Sequence, residues 1–297
     1  MNHIKDQIRC GAAYRLGLTG KGIGVAVLDT GIFLHRDFDS RVTGFADMVN
    51  GKTFAYDDCG HGTHICGIIG GSGRMSGGRY SGIAPGCDLV MVKVLDRKGN
   101  GYSSDVLAGI SWILERKEKL GIRILNISVG ACSKRGMSEN SALVKGVNRA
   151  WDAGLVVVVA AGNNGPRTMS ITTPGISRKV ITVGCSDDDR EVLVGGNRMV
   201  DYSGRGPTAA CICKPDLVAP GCSVVSCSGR ADKYTIKSGT SMSTPIVSGA
   251  TALLLERYPD MTNKDVKLKL RESCRDIGLP RNQQGWGLLD VEKLVSK

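Results

Sequence analysis

Apolar residues cluster in short uninterrupted runs at residues 23–28, 89–95, 122–127, 155–160 and 180–183. Runs of this length, rich in Val and Ile, predict strands buried on both faces. Helical spacing fills the gaps between them, at 104–119 and at 141–153, the latter closed by Gly154 as a C-cap. A charge-free run at 246–255 also has helical spacing and predicts a buried helix, opened by "SGTSMSTP". Pro245 is tolerated in a first turn, so it is expected to mark where that helix begins. Strand–helix alternation of this kind predicts an α/β fold, a mostly parallel sheet with helices on both faces. In such folds the ligand site lies beyond the carboxyl ends of the strands.

Composition narrows this picture without redirecting it. At 297 residues the chain suits one hydrophobic core, and no linker or repeat divides it, so a single domain over 1–297 is expected, with 1–19 as an N-terminal segment. The formal net charge is +11, but Lys264, Lys267, Lys269, Arg271 and Arg275 alternate with Asp260, Asp265, Glu272 and Asp276. That pattern is a solvated helical face, and no nucleic-acid partner is expected. Neither a leader nor an apolar run of about 20 residues is present, so no membrane partner is expected. Eleven scattered cysteines without an export signal point to reduced thiols and a cytoplasmic location. Cys211, Cys213, Cys222 and Cys227 lack paired C-x-x-C spacing, and no metal is expected from them.

Three polar segments stand out against this frame. "VAVLDTGI" places Asp29 directly after the first strand, where a turn or capping role competes with a catalytic one. Asp-Thr-Gly also occurs in aspartic proteases, whose chemistry needs two carboxylates sharing a proton; the chain has one such tripeptide. "DDCGHGTHICGIIGG" carries His61 and His64 without the glutamate of an H-E-x-x-H metal site. Gly60 and Gly62 leave the His61 ring uncovered. In "SGTSMSTP", Ser241 falls at a helix N-terminus that favours negative charge, and Gly239 allows a close approach. Asp, His and Ser in that chain order on an α/β sheet differ from the Ser–acid–His order of α/β-hydrolases and the His–Asp–Ser order of chymotrypsin-like barrels.

With "VAVLDTGI", "GHGTHICG", "VVVAAGNNG" and "SGTSMSTP" in sequence, the chain resembles the subtilases, the subtilisin-like serine proteases of peptidase family S8, over residues 20–290. It is most similar to the intracellular AprX-type group of bacterial subtilases. The resemblance implies a three-layer subtilisin-like fold and serine endopeptidase activity through an acyl-enzyme on protein or peptide substrates. It implies Ser241 as nucleophile, His61 as general base and Asp29 as the residue orienting it. Asn163 would be the side-chain donor to the oxyanion, and His64 a structural residue. Substrate would lie extended between Ser128, Val129 and Gly130 on one side and Gly99, Asn100 and Gly101 on the other. Near Thr172, uncharged lining would accept a small or apolar side chain. No cofactor is implied. Asp37 falls at a family calcium position, but the 70–82 loop offers two arginines and no carboxylate, so no strong calcium site is expected. Cys66 is expected as a buried apolar residue, with a sulfur close to His61 as the alternative. Residues 1–9 are expected to lie on the surface or to be removed, since no long pro-segment precedes the first strand. The oligomeric state stays open.

Overall fold

The structure is a computed structural model that describes residues 1–130 and 139–296. Two short helices come first, α1 (Asn2–Gln7) and α2 (Gly11–Arg15), followed by β1 (Gly24–Asp29), β2 (Val42–Asp47), α3 (His61–Gly70) and β3 (Asp88–Lys93). Then come α4 (Ser103–Arg116), β4 (Ile122–Ile127), α5 (Ala142–Asp152), β5 (Val156–Ala160) and β6 (Ile181–Cys185). The remainder holds the hairpin β7 (Val192–Val194) and β8 (Asn197–Met199), β9 (Leu217–Ala219), and a second hairpin of β10 (Val224–Cys227) and β11 (Tyr234–Lys237). Helices α6 (Thr240–Arg257), α7 (Asn263–Ser273), α8 (Arg281–Gln284) and α9 (Val291–Val295) complete the chain.

Seven strands form one parallel sheet in the order β2-β3-β1-β4-β5-β6-β9. Every residue of β1 and β5 is buried, which is why both read as unbroken apolar runs. Successive side chains of β4 point to opposite faces. Asn126 meets Ser248 of α6 at 2.9 Å, while Ile127 lines a groove with Val106 of α4 and Val147 of α5. The sheet is therefore sandwiched between α6 and the α4–α5 pair. β1 lies between β3 and β4, so the chain reverses direction of travel across the sheet there. Such a switch point opens a crevice at the carboxyl ends of the strands.

Two expectations need correction. α6 starts a turn earlier than Pro245 suggests: Gly239 is the N-cap, and Pro245 lies inside the helix. The proline lacks the N–H that would pair with the Ser241 carbonyl, the i−4 partner, so the helix passes the proline with one hydrogen bond missing. Residues 1–9 do not lie loosely on the surface. Ile4 and Ile8 are fully buried, Val291 N–H donates to the Ile8 carbonyl at 2.8 Å, and Arg9 pairs with Asp290 at 3.2 Å.

Candidate active site

Asp29 is the last residue of β1 and has no exposed surface. Its carboxylate accepts the Thr30 N–H at 2.7 Å and faces the first residue of α3, His61. His61 Nδ1 lies 2.7 Å from Asp29 Oδ1 and 2.9 Å from Oδ2. That contact fixes the tautomer, with the proton on Nδ1 and a lone pair on Nε2. The imidazole remains 22% exposed. Burial pulls its pKa down, but the charge and hydrogen bond of Asp29 raise it more, and the net lies above the ordinary 6.5.

The ring is held there by a residue that the sequence reading passed over. Asp57 Oδ1 accepts from Thr30 Oγ1 at 2.9 Å and Gly60 N at 2.7 Å, and its Oδ2 accepts from the Thr63 N–H and hydroxyl at 3.0 and 2.6 Å. Thr30 Oγ1 in turn accepts from Gly62 N at 2.9 Å. One carboxylate thus ties the end of β1 to the first turn of α3, where the helix dipole also favours negative charge. Gly62 is glycine for a steric reason, since any Cβ there would collide with the Gly31 carbonyl. On the far side Lys93, wholly buried at the end of β3, donates to the carbonyls of Thr30 and Leu95 and to Asp58, each at 2.7 Å.

Ser241 is the second residue of α6, so its backbone N–H has no intrahelical acceptor. Its hydroxyl donates to the Ser128 carbonyl at 2.6 Å. Asn163 follows β5 on the same sheet edge. Its Oδ1 accepts from both the N–H and the hydroxyl of Thr240, each at 3.0 Å, which leaves Nδ2 as the group free to donate. Gly239 has φ 138°, and a Cβ there would stand 3.3 Å from Asn163 Nδ2. The close approach that Gly239 permits is therefore to this amide. Thr240, too, was missed from sequence, although it sits inside the quoted motif.

His64 lies on the buried side of α3. Its Nε2–H donates to the carbonyls of Val224 (3.1 Å) and Thr235 (3.2 Å), while Nδ1 has no partner. Burial first, and the Lys237 charge second, push its pKa down to about 3, so it is neutral and ties α3 to the β10–β11 hairpin. Cys66 is fully buried, and burial together with the Asp29 charge pushes its thiol well up.

Ser128 is buried just beyond β4, and Gly130 is exposed. Asn126 Nδ2 donates to Ser128 Oγ at 2.9 Å and Ser248 Oγ donates to Asn126 Oδ1, a polar chain linking α6 to this segment. Asp96 shapes the opposing turn, accepting from Lys98 N at 2.8 Å and Asn100 N at 2.9 Å, with Gly99 at φ 78°. Between the two segments runs a groove of about 220 Å³, lined by Gly99, Asn100 and Gly101 on one side and Val129 and Gly130 on the other. Five of the six residues named from sequence thus line the same groove, while Ser128 is buried just before Val129. Thr172 is buried beneath Gly130 and Gly162, where a Cβ on either glycine would overlap it.

Asp37 has its carboxylate committed elsewhere: Oδ1 accepts from Met75 N at 2.9 Å, and Oδ2 from Tyr234 OH at 2.7 Å. The four cysteines considered together in the sequence separate in space. Cys211 and Cys213 are exposed, Cys227 lies beside Asp37 at 3.7 Å, and Cys222 belongs to another cluster; Cys132 falls outside the described residues.

The model of the subtilase family, peptidase S8, matches residues 20–287. Serine protease AprX of Bacillus subtilis is 42% identical over 287 residues, covering 91% of this chain and 64% of that protein's length. Subtilisin BL of Lederbergia lenta is 34% identical over 287 residues, with 97% of this chain and 96% of that protein covered. Among solved structures, sphericase superposes with a TM-score of 0.79 at 31% identity over 92% of this chain and 93% of its own. Motifs, sheet order and relatives converge on one conclusion: the chain belongs to the subtilase family.

Proposed function

We propose that the protein is a serine endopeptidase that cleaves protein or peptide substrates through Asp29, His61 and Ser241. One observation carries the reading: a buried carboxylate at the end of β1 holds the His61 ring by both oxygens, beside the N-terminus that presents Ser241. For the reaction the Ser241 hydroxyl must exchange the Ser128 carbonyl for His61 Nε2 as its acceptor. Its oxygen then attacks the scissile carbonyl as His61 accepts the proton. Negative charge builds on the carbonyl oxygen, and Asn163 Nδ2–H and the Ser241 N–H are the donors for it. The imidazolium, stabilised by Asp29, protonates the leaving amine; water activated by His61 then releases the acyl-enzyme.

Substrate would add as a strand between residues 99–101 and 128–130. Leu95, Val106, Val129 and Val147 in the groove favour an apolar side chain. Uncharged Thr172 favours a small or apolar residue before the scissile bond. No cofactor enters these steps. The committed oxygens of Asp37 and the arginine-bearing 70–82 loop do not suit calcium, and we read that corner as metal-free. We read the chain as one catalytic domain. Free thiols at ten described cysteines support a reducing, intracellular setting. Among the described residues no helix is long and apolar enough to cross a membrane.

The test is hydrolysis of casein and a chromogenic peptide by wild type and Ser241→Ala, with labelling by an organophosphate. Turnover and label in wild type alone are expected. Equal turnover in both proteins, or no label, refutes the assignment.

A further inference from the structure

We propose that Cys185, Cys222 and Asp187 form a binding site for a thiophilic divalent cation, zinc, behind the first turn of α6. The ligand atoms of all three lie within 4.8 Å of one another. A zinc–sulfur bond is about 2.3 Å, which separates two tetrahedral sulfurs by roughly 3.8 Å, so small side-chain rotations close the cluster around an ion. Cys185 ends β6, and Cys222 follows the turn after β9, so adjacent strands bring the two thiols together.

The surroundings go beyond two cysteines buried by chance. Asp187 Oδ1 accepts from Gly221 N at 2.7 Å, Cys222 N at 3.1 Å and Cys185 Sγ at 3.1 Å, so the carboxylate is aimed at the thiol by two backbone donors. Tyr202, fully buried, places its hydroxyl 3.2 Å from Cys185 Sγ and 3.1 Å from Cys222 Sγ. Ser243 Oγ, buried without a partner, crowds the same face of Gly221 as Cys185 Sγ. An unsatisfied buried hydroxyl near the Cys185 thiol marks a cluster whose polar groups are not all served by the protein alone.

Access exists as well. Asp187 opens onto a surface pocket of about 420 Å³ that Asp188, Asp189 and Asp201 also line. Arg205 pairs with Asp201 at 3.1 Å and Arg190 approaches Asp189 at 3.8 Å, so two of the four carboxylates remain without an arginine and keep the pocket favourable to cations. The pocket supplies water as the fourth ligand. Without metal, burial and the nearby Asp187 charge hold the Cys185 thiol well up, in its protonated form. A bound dication reverses that balance, and binding releases the two thiol protons to solvent as two zinc–thiolate bonds form. No electron changes hands. The site also touches the segment that carries the nucleophile: the Gly221 carbonyl accepts from Gly239 N at 3.0 Å, and Ser223 N donates to Ser238 Oγ at 2.9 Å.

The experiment uses the full chain as Ser241→Ala, to prevent self-digestion, with the exposed Cys59, Cys211 and Cys213 changed to Ser so that surface thiols do not compete. Zinc is titrated against a chromophoric chelator, and cobalt is added separately to read thiolate-to-metal charge-transfer absorption, both under a phosphine reductant. One ion per chain is expected, with thiolate absorption, affinity that rises with pH, and a melting temperature raised by about 5 °C at saturating zinc. Cys185→Ser and Cys222→Ser should each abolish the absorption and the thermal shift. Asp187→Asn keeps an oxygen for the two backbone donors and so retains the fold; it should weaken binding at least about tenfold. Absence of thiolate absorption in the parent overturns the site. So does absorption that survives the loss of both cysteines, or unchanged affinity in Asp187→Asn.

Discussion

Asp29 holds the proton of His61 on Nδ1, and in the proposed reaction the same carboxylate stabilises the positive ring that forms later. Asp29→Asn keeps the shape but loses both the charge and the preference for the right tautomer. A fall in kcat of about 10⁴-fold is expected, the scale this change has in other enzymes using such a triad. Because the base must be neutral, activity is lost as pH falls through the His61 pKa, which Asp29 holds above 6.5. In Asp29→Asn the opposing effect of burial remains, so the acid limb of kcat/KM should move to lower pH. A pH–rate profile with the limb in the same place would exclude Asp29 as the source of the raised pKa. On spacing alone Asp29 reads as a turn or capping residue, and the roles of Asp29, His61, Asn163 and Ser241 were legible only as what the order of the four motifs and the family resemblance imply. Thr240 and Asp57 were not, because their work is to orient other side chains, and an Asp or Thr near a helix start has an ordinary capping explanation.

At the level of elements, α3 carries His61 on its open end and His64 on its buried side, so the contacts of His64 with the β10–β11 hairpin help to position the helix that bears the base. His64 is neutral when folded, with a pKa of about 3 against 6.5 when unfolded. The unfolded chain therefore binds a proton that the folded chain refuses, and stability contributed by His64 is present above pH 6.5 and lost as pH falls towards 3. His61, with its raised pKa, has the opposite sign: its contribution is present below 6.5 and fades as pH rises through the folded value. His64→Gln should flatten the acid branch of stability, measured as the urea midpoint between pH 7 and pH 4 relative to wild type. An unchanged slope would mean that His64 is not the group responsible. The central strands were legible because both their faces are buried. β2 was not, since it is a half-exposed edge strand interrupted by Gly44, and β9 has only three residues. Pro245 misplaced the start of α6 because a proline one turn into a helix gives the same sequence signal as one at its beginning.

For the molecule as a whole, the corner around Asp37 is served by internal donors, which supports the metal-free reading proposed for it. The Asp37 carboxylate accepts hydrogen bonds from a backbone amide and a tyrosine, and Arg74 pairs with Asp39 at 3.2 Å in the adjoining loop. Millimolar calcium added to the zinc-free protein should therefore move the melting temperature by less than about 2 °C; a larger rise that disappears in Asp37→Ala would contradict this. The metal proposed at Cys185 and Cys222 escaped the sequence for a related reason, because its ligands meet only through strand pairing and have no spacing signature. Distance along the chain matters for the catalytic groups too. Asp29 and His61 come early, Asn163 follows in the middle, and Ser241 sits on a helix packed over strands that are all made before it. During synthesis the attacking alcohol is thus among the last reactive pieces to leave the ribosome, and it has nothing to work with until the sheet beneath it has closed. Under the proposed mechanism a chain cut short before residue 241 has no nucleophile, and the order of translation then acts as a safety catch.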